Sequence, residues 1–328
     1  TGIDEFMKLN PVETGSFSMS VITFGTAFER FKKKGDYTSE TFTLFDQNRL
    51  VVANRLASQR PGYNPSDVDT YGFPSGYGKT SQDVLIPAFL AAYTGKSADI
   101  VSLQTFPSVL SALPNWRITY DGLGKIPKLK KYFRTVNLNH VYRSTFNIGS
   151  YQTRLTNEYY EENGFNIIRD ELDNYYSKYQ INGMSISEQF SPLISIDMTM
   201  VNSFILKLEV KKTRNLNMSF SNNQLTELKT DEYIIGTGYR FKEVEIVIKS
   251  GGRQRNFNSD LNIRLDFSIR NTLTVIRKLE EGFNQPTAGN LTYTIKTSAD
   301  YALSNRFNLR LFYDQVINRP TLGVTFPT

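Results

Sequence analysis

From Ile194 to Phe220 the chain alternates apolar and polar residues almost without interruption. Ile194, Ile196, Met198, Met200, Phe204, Leu206, Leu208, Val210, Leu216, Met218 and Phe220 keep one register; Ser195, Asp197, Thr199, Lys207, Glu209, Lys211, Asn217 and Ser219 keep the other. A period of two means strand, with one apolar and one wet face. The interruptions at Val201–Ser203 and Thr213–Asn215 read as turns. Strands of about ten residues with full charges on one face suit a closed barrel, lipid outside and water inside. A soluble sandwich also alternates, so this stretch leaves both open.

The rest of the chain decides between them. Tyr132 to Tyr151 puts Val136, Leu138, Tyr142, Phe146 and Ile148 opposite Asn137, Asn139, Arg143, Thr145 and Asn147. Leu261 to Ile269 sets its odd positions, Phe267 among them, against Arg264 and Asp266. Leu291 to Leu303 sets Tyr293, Ile295 and Tyr301 against Lys296 and Asp300. Phe307 to Tyr313 sets its apolar register against Arg306 and Arg310. Several of these runs are longer than the five or six residues usual in soluble strands. Aromatic residues near the ends of the apolar faces resemble the girdles of outer-membrane barrels. The expected architecture is all-β, part of a very large transmembrane antiparallel β-barrel with a small helical insertion. Asp197, Lys207, Glu209, Lys211, Arg264, Asp266, Lys296, Asp300, Arg306 and Arg310 are its expected lumen-facing residues. Leu206, Leu208, Phe220, Phe267, Tyr293, Tyr301, Phe307 and Tyr313 are expected to face lipid.

The insertion interrupts the strand pattern early. A first strand is expected over Ser16 to Phe28. Helices are then expected over Thr43–Gln59, ended by Pro61-Gly62, and over Asp83–Tyr93, with Asp83 as cap and Gly95 after its end. An excursion this long is functional or packed against something. The expected division is 1–31 barrel strand, 32–112 helical insertion and 113–328 barrel strands. Because both helices carry apolar stripes, the insertion is expected to cap the pore or dock a partner.

Composition narrows the chemistry. The chain has 328 residues, 39% hydrophobic and 13% aromatic, with net charge +6 and no cysteine. Positive and negative side chains are interleaved, so no basic block points to nucleic acid. The longest apolar run, Leu85 to Tyr93, contains Pro87 and is too short for a membrane helix. His140 is the only histidine and lies in an apolar register, which removes the usual base of a nucleophile pair. Trp116 reads as an interfacial anchor. Gly72 to Thr80 (GFPSGYGKT) misses the phosphate-loop spacing by one residue and follows no buried strand. Tyr159–Glu162 with Asp170, Glu171 and Asp173 match no calcium loop and read as solvated. No catalytic site, cofactor or metal is expected, and the chain is not expected to be an enzyme. Thr1 at the start and the interrupted pattern at Gly323–Thr328 read as a piece of a longer polypeptide.

Several blocks carry a resemblance: LFDQNRLVVANRL (Leu44 to Leu56), SQDVLIPAFLAAYTG (Ser81 to Gly95), LPNWRITYDGLGKIP (Leu113 to Pro127), LNHVYRSTFNIGSY (Leu138 to Tyr151), ISEQFSPLISIDMTM (Ile186 to Met200), SNNQLTELKTDEYIIGTGYRF (Ser221 to Phe241) and FNQPTAGNLTYTIKTSADYALS (Phe283 to Ser304). Together they resemble the C-terminal part of the SprA/Sov family, the outer-membrane translocon of the type 9 secretion system of Bacteroidota. The resemblance implies a barrel at the top of the known size range, about 36 strands, a figure that comes with the family and is not read from this chain. At that size the circumference is roughly 225 Å and the diameter about 70 Å. It implies export of folded cargo with C-terminal signal domains. The implied partners are a PorV-type barrel and a periplasmic plug protein, and the implied location is the outer membrane. About a dozen strands cannot close such a pore alone. The alternative is a TonB-dependent nutrient-uptake barrel, which predicts an N-terminal plug domain and a partner-binding box, neither visible in this sequence.

Overall fold

The computed structural model describes residues 12–29, 37–108, 112–155, 160–250, 253–304 and 307–322. Its frame is one 10-stranded antiparallel sheet. The main path runs through β1 (Thr14–Ser20), β3 (Phe133–Thr153), β7 (Gly183–Met200), β8 (Phe204–Ser219), β9 (Gln224–Ser250), β10 (Arg253–Lys278), β11 (Asn284–Ser304) and β12 (Phe307–Pro320). Two short strands, β2 (Trp116–Tyr120) and β6 (Tyr179–Ile181), also pair with β3, and β4 (Glu161–Glu162) and β5 (Phe165–Asn166) form a separate hairpin. That hairpin turns through Asn163 and Gly164, both at positive φ, as a two-residue turn requires. From β7 to β12 each strand pairs with the next, so the wall is a meander. It does not close on itself: β1 and β2 lie at one edge and β12 at the other.

The strands are long, 27 residues in β9 and 26 in β10. They carry more than one environment along their length, and the register shows where the change falls. On one face successive rows cross the sheet as Val210–Tyr233–Ile269–Tyr293–Ile317, Leu208–Ile235–Phe267–Ile295–Gln315, Leu206–Thr237–Leu265–Thr297–Tyr313 and Phe204–Tyr239–Ile263–Ala299–Leu311. These rows are mainly apolar, with Thr237, Thr297 and Gln315 as their polar members, and open to the surroundings. Further along the strands the same face carries Leu216, Met218, Leu225 and Val275, which are fully buried.

The cover over those buried positions is the insertion. Helix α1 spans Glu40–Ala57 and α2 spans Gln82–Thr94. Ser39 caps α1 by accepting from the Phe42 N–H, and Gly95 ends α2 in the left-handed conformation. Every residue of α2 from Val84 to Tyr93 is buried, as befits a helix apolar all round. Phe45 of α1 meets Phe89 of α2 edge to face, centroids 6.1 Å apart. Both helices share one core with Phe146, Ile148, Ile186, Leu216, Met218 and Leu225 of the sheet. The apolar stripes thus find their surface on the sheet itself. Removing residues 43–93 would bare that sheet face, so the insertion is part of the fold rather than an appendage. A third helix, α3, is a single turn at Pro127–Lys130.

Two expectations are corrected here. The strand expected over Ser16–Phe28 ends at Ser20, and Phe24–Thr26 form a 3-10 turn. Thr23 turns inward, where its hydroxyl donates to Glu188 (2.6 Å) and its N–H to Tyr142 (2.8 Å). Thr213–Asn215, expected as a turn, lies inside the unbroken β8. Arg214 keeps the apolar register but is buried, paired with Glu188 at 2.8 Å. The break at Val201–Ser203 is a turn, as expected.

Candidate functional site

The surface with functional content is the wall itself, because its two faces differ so sharply at one level. The face opposite the apolar rows carries Asp197 on β7; Lys207, Glu209 and Lys211 on β8; Arg264 and Asp266 on β10; and Lys296 on β11. These line one hollow of about 610 Å³ with Glu232 and Arg270. Sequence reasoning brought the first seven together; Glu232 and Arg270 extend the same registers and were missed. Asp300 and Arg310 continue this face on β11 and β12, paired in register and 3.4 Å apart. Arg306 lies outside the described residues.

The hollow exists because β9 lacks side chains at two successive positions of this face, Gly236 and Gly238. Gly236 lies between Lys207 and Asp266, and Gly238 between Ile205 and Arg264. A Cβ at Gly236 would fall 2.3 Å from an Asp266 carboxylate oxygen and 3.3 Å from the Lys207 Cβ. The two glycines let side chains of β8 and β10 lean toward each other across β9. Glu209 is bridged by Lys207 (2.8 Å) and Lys211 (3.4 Å), and Arg270 pairs with Glu232 (2.9 Å). Four carboxylates and five cations line the hollow. This nearly balanced set gives a hydrated surface without a field of one sign.

The apolar face answers row for row. Leu206, Leu208, Phe267, Tyr293 and Tyr313 lie in its open rows, and Phe307 is exposed at the start of β12. Tyr233 is 56% and Ile235 51% exposed. Two expected members sit differently. Tyr301 is in the same register but only 3% exposed. The β9–β10 hairpin bends over it at Glu243, which has positive φ, and its hydroxyl donates to the Val244 and Phe257 carbonyls. Phe220 follows β8 in a turn and packs against the helical core. From Tyr233 to Phe241 this belt extends about 27 Å along the strand, or about 21 Å in projection on an axis to which the strands tilt by about 40°. Aromatic rings mark both limits, Tyr233 and Tyr293 at one, Phe204, Tyr239 and Phe241 at the other.

At the edge of the belt nearer the insertion, Trp116, Phe24, Tyr142 and Phe190 form an aromatic cluster, with Trp116 and Tyr142 centroids 4.4 Å apart. His140 belongs to it: its ring lies against Trp116 and Phe190, and its Nδ1 is 2.6 Å from the Leu193 carbonyl. The histidine therefore has a packing role. Beyond this cluster, buried charges fix the insertion and the segment leading into it to the wall. Arg214 donates to the Thr26 and Thr23 carbonyls, Arg277 to the Tyr37 carbonyl while paired with Glu227, and Lys229 to the Glu29 carbonyl. The Glu29 carboxylate in turn accepts from Ser39 and from Thr41 at the start of α1.

Inside the insertion, burial pushes the Asp83 carboxyl above the usual range, against the pull of Ser177 and Arg154. Gly76, at positive φ, packs under the Tyr175 ring, and the Gly78 N–H donates to Asn174, so Gly72–Thr80 is held by its neighbours. Asp170 accepts from the Leu172 and Asn174 N–H groups, and Asp173 pairs with Arg169, which ties up the acidic stretch locally. Among the described residues no cluster of three or more metal-ligating side chains occurs, and no helix is long and apolar enough to cross a membrane. Comparison with protein-family models and with curated proteins returns no match.

Proposed function

We propose that this chain is a stretch of the wall of a transmembrane β-barrel in the outer membrane, and that the barrel conducts proteins. The observation that carries the reading is the coincidence of levels. Where one face exposes four apolar rows bounded by aromatic rings, the other exposes a balanced set of charges. A soluble sheet buries an apolar face of this extent, since contiguous apolar patches beyond a few hundred Å² mark contacts with lipid or protein. A sheet with lipid on one side and water on the other needs both faces as they are here.

Conduction of protein rather than of a small solute rests on two supports. The charged face offers mixed signs and a shallow hollow, a surface over which cargo of either sign can pass without being held. The sequence blocks quoted above resemble the SprA/Sov translocon family, whose implied cargo is folded protein with C-terminal signal domains. In this reading the insertion lies outside the wall, just beyond the lipid belt, on the side where a neighbouring PorV-type barrel would sit. It does not lie over the charged face, which supports docking over capping as its role.

The test is depletion of the full-length protein in its native cell, with mass spectrometry of medium and periplasm. Large proteins with C-terminal signal domains should leave the medium and accumulate in the periplasm. Normal secretion together with failure to take up a nutrient would replace this reading with an uptake barrel.

A further inference from the structure

The boundary between belt and insertion contains a second hollow, of about 560 Å³. Val210, Tyr233, Leu193 and Leu273 form its apolar part, and Lys212, Asp231 and Asn271 belong to the first polar row beyond the belt. Phe28 and Glu29 of the segment leading into the insertion also line it. Lys212 and Asp231 are register partners with Lys212 Nζ 2.7 Å from the carboxylate, and the Phe28 ring lies 5.9 Å from the same Nζ.

We infer that this hollow holds the headgroup of one zwitterionic phospholipid, of the phosphatidylethanolamine kind. The inference rests on the proposal that the apolar rows meet lipid. The size falls in the range of small-molecule sites. Its apolar part continues the belt, so a glycerol backbone and the start of an acyl chain leave the hollow directly into the bilayer. Its charges select the headgroup. Lys212 and Lys229 are opposed by Asp231 and Glu29, so the lining carries no net charge at pH 7. An anionic headgroup gains little from such a set, whereas a phosphate–ammonium dipole matches it end for end. The phosphate lies beside the Lys212 ammonium and the lipid ammonium beside the Asp231 carboxylate. Asp231 is 37% exposed at its side chain and stays accessible while paired. Glu29 is committed to Ser39 and Thr41 at the start of α1, so Asp231 is the carboxylate that receives the ammonium.

The experiment uses the full-length protein, extracted in detergent and exchanged into mixed micelles holding equal phosphatidylethanolamine and phosphatidylglycerol. Native mass spectrometry then reads the retained lipid. One phosphatidylethanolamine is expected to remain, and Lys212→Gln/Asp231→Asn should lower its retention by about a hundredfold, the scale of two charge-assisted contacts. Asn271→Trp, which fills the hollow without removing an ion pair, should have the same effect and keeps the test decisive if the double variant misfolds. Lys207→Gln, on the opposite face, should change nothing. Retention of phosphatidylglycerol instead, of no lipid, or of the same lipid by both hollow variants overturns the inference. Release of the protein from cells by salt without detergent would instead overturn the barrel reading, a separate outcome seen before any lipid is measured.

Discussion

Ile234 and Ile235 are neighbours on β9 whose side chains point to opposite faces of the wall. Ile235 lies between Leu208 and Phe267 inside the belt, and Ile234 between Glu209 and Ser268 above the charged hollow. If the apolar rows meet lipid as proposed, an arginine at Ile235 puts a guanidinium among hydrocarbon. Arginine on the lipid face costs about 2–4 kcal/mol at the bilayer midplane and about 0–1 near the interface. Ile235 is one row in from the limit set by Tyr233, about half way to the middle of the band, so a cost of about 1–2.5 kcal/mol is expected, a folded-to-unfolded ratio lower by roughly 5- to 70-fold. An arginine at Ile234 instead meets Glu209 across the strand gap, and its effect should stay within about 1 kcal/mol. The measurement is the yield of heat-modifiable barrel in outer-membrane fractions of cells producing the full-length variants, followed by urea titration of the purified proteins. Equal tolerance of Ile235→Arg and Ile234→Arg would refute the assignment of faces. A larger loss at Ile234 would reverse it.

Other consequences are as direct. Glu188→Ala strands the Arg214 guanidinium in a site where both side chains are 1% exposed; the expected loss is about 3–5 kcal/mol, largely recovered in Glu188→Leu/Arg214→Met, and equal denaturation midpoints for the single variant and wild type would disprove it. Phe45→Ala, at a fully buried ring between α1 and α2, should cost about 3–5 kcal/mol and make the insertion the first site of limited proteolysis while the strands stay protected. For Asp83 the sign follows from its raised pKa. The folded state holds the carboxyl proton more tightly than the unfolded state, so this residue's contribution is fully present below about pH 4 and lost as pH rises through the folded pKa. Asp83→Asn should therefore stabilise the insertion at pH 7 and not at pH 3, read as the urea midpoint for proteolysis at each pH; equal gains at both would contradict the burial account.

The alternation of the wall was legible because each face of a strand meets one environment over many residues. That uniformity places Lys207, Asp266 and Lys296 on one face and Leu208, Phe267 and Tyr293 on the other from period alone. What period cannot show is where a face changes its neighbour. Lys212, Arg214, Glu227 and Lys229 stand in the apolar registers of β8 and β9, and on sequence they look like breaks or misplaced charges. They are charges with partners the pattern does not show: Arg214 and Lys229 donate to the Thr26 and Glu29 carbonyls, each more than a hundred residues away, Glu227 is paired with Arg277 of the adjacent strand, and Lys212 with Asp231 of the adjacent strand. The second helix was readable because Gly95 and the apolar run before it are local signals, although Asp83, read as its cap, lies in the first turn and Ser81 holds the cap position. Its docking on Phe146 and Leu216 was not, since nothing in a helix names its distant partner. Tyr301 was misplaced for a related reason: the bend at Glu243 that folds the hairpin over it follows from one positive φ, not from any pattern.

In the membrane placement proposed above, a wall that is apolar only over a band about 21 Å high takes its depth from whatever stops it along the membrane normal. The insertion is that stop, on one side only. It stands on the face of the strands that carries the open apolar rows, held directly by Arg277 and, through the segment leading into it, by Arg214 and Lys229. It therefore works as a flange: it sets how deep the strands sit, keeps the aromatic rings of the nearer boundary at headgroup level, and gives an otherwise nearly symmetrical band an up and a down.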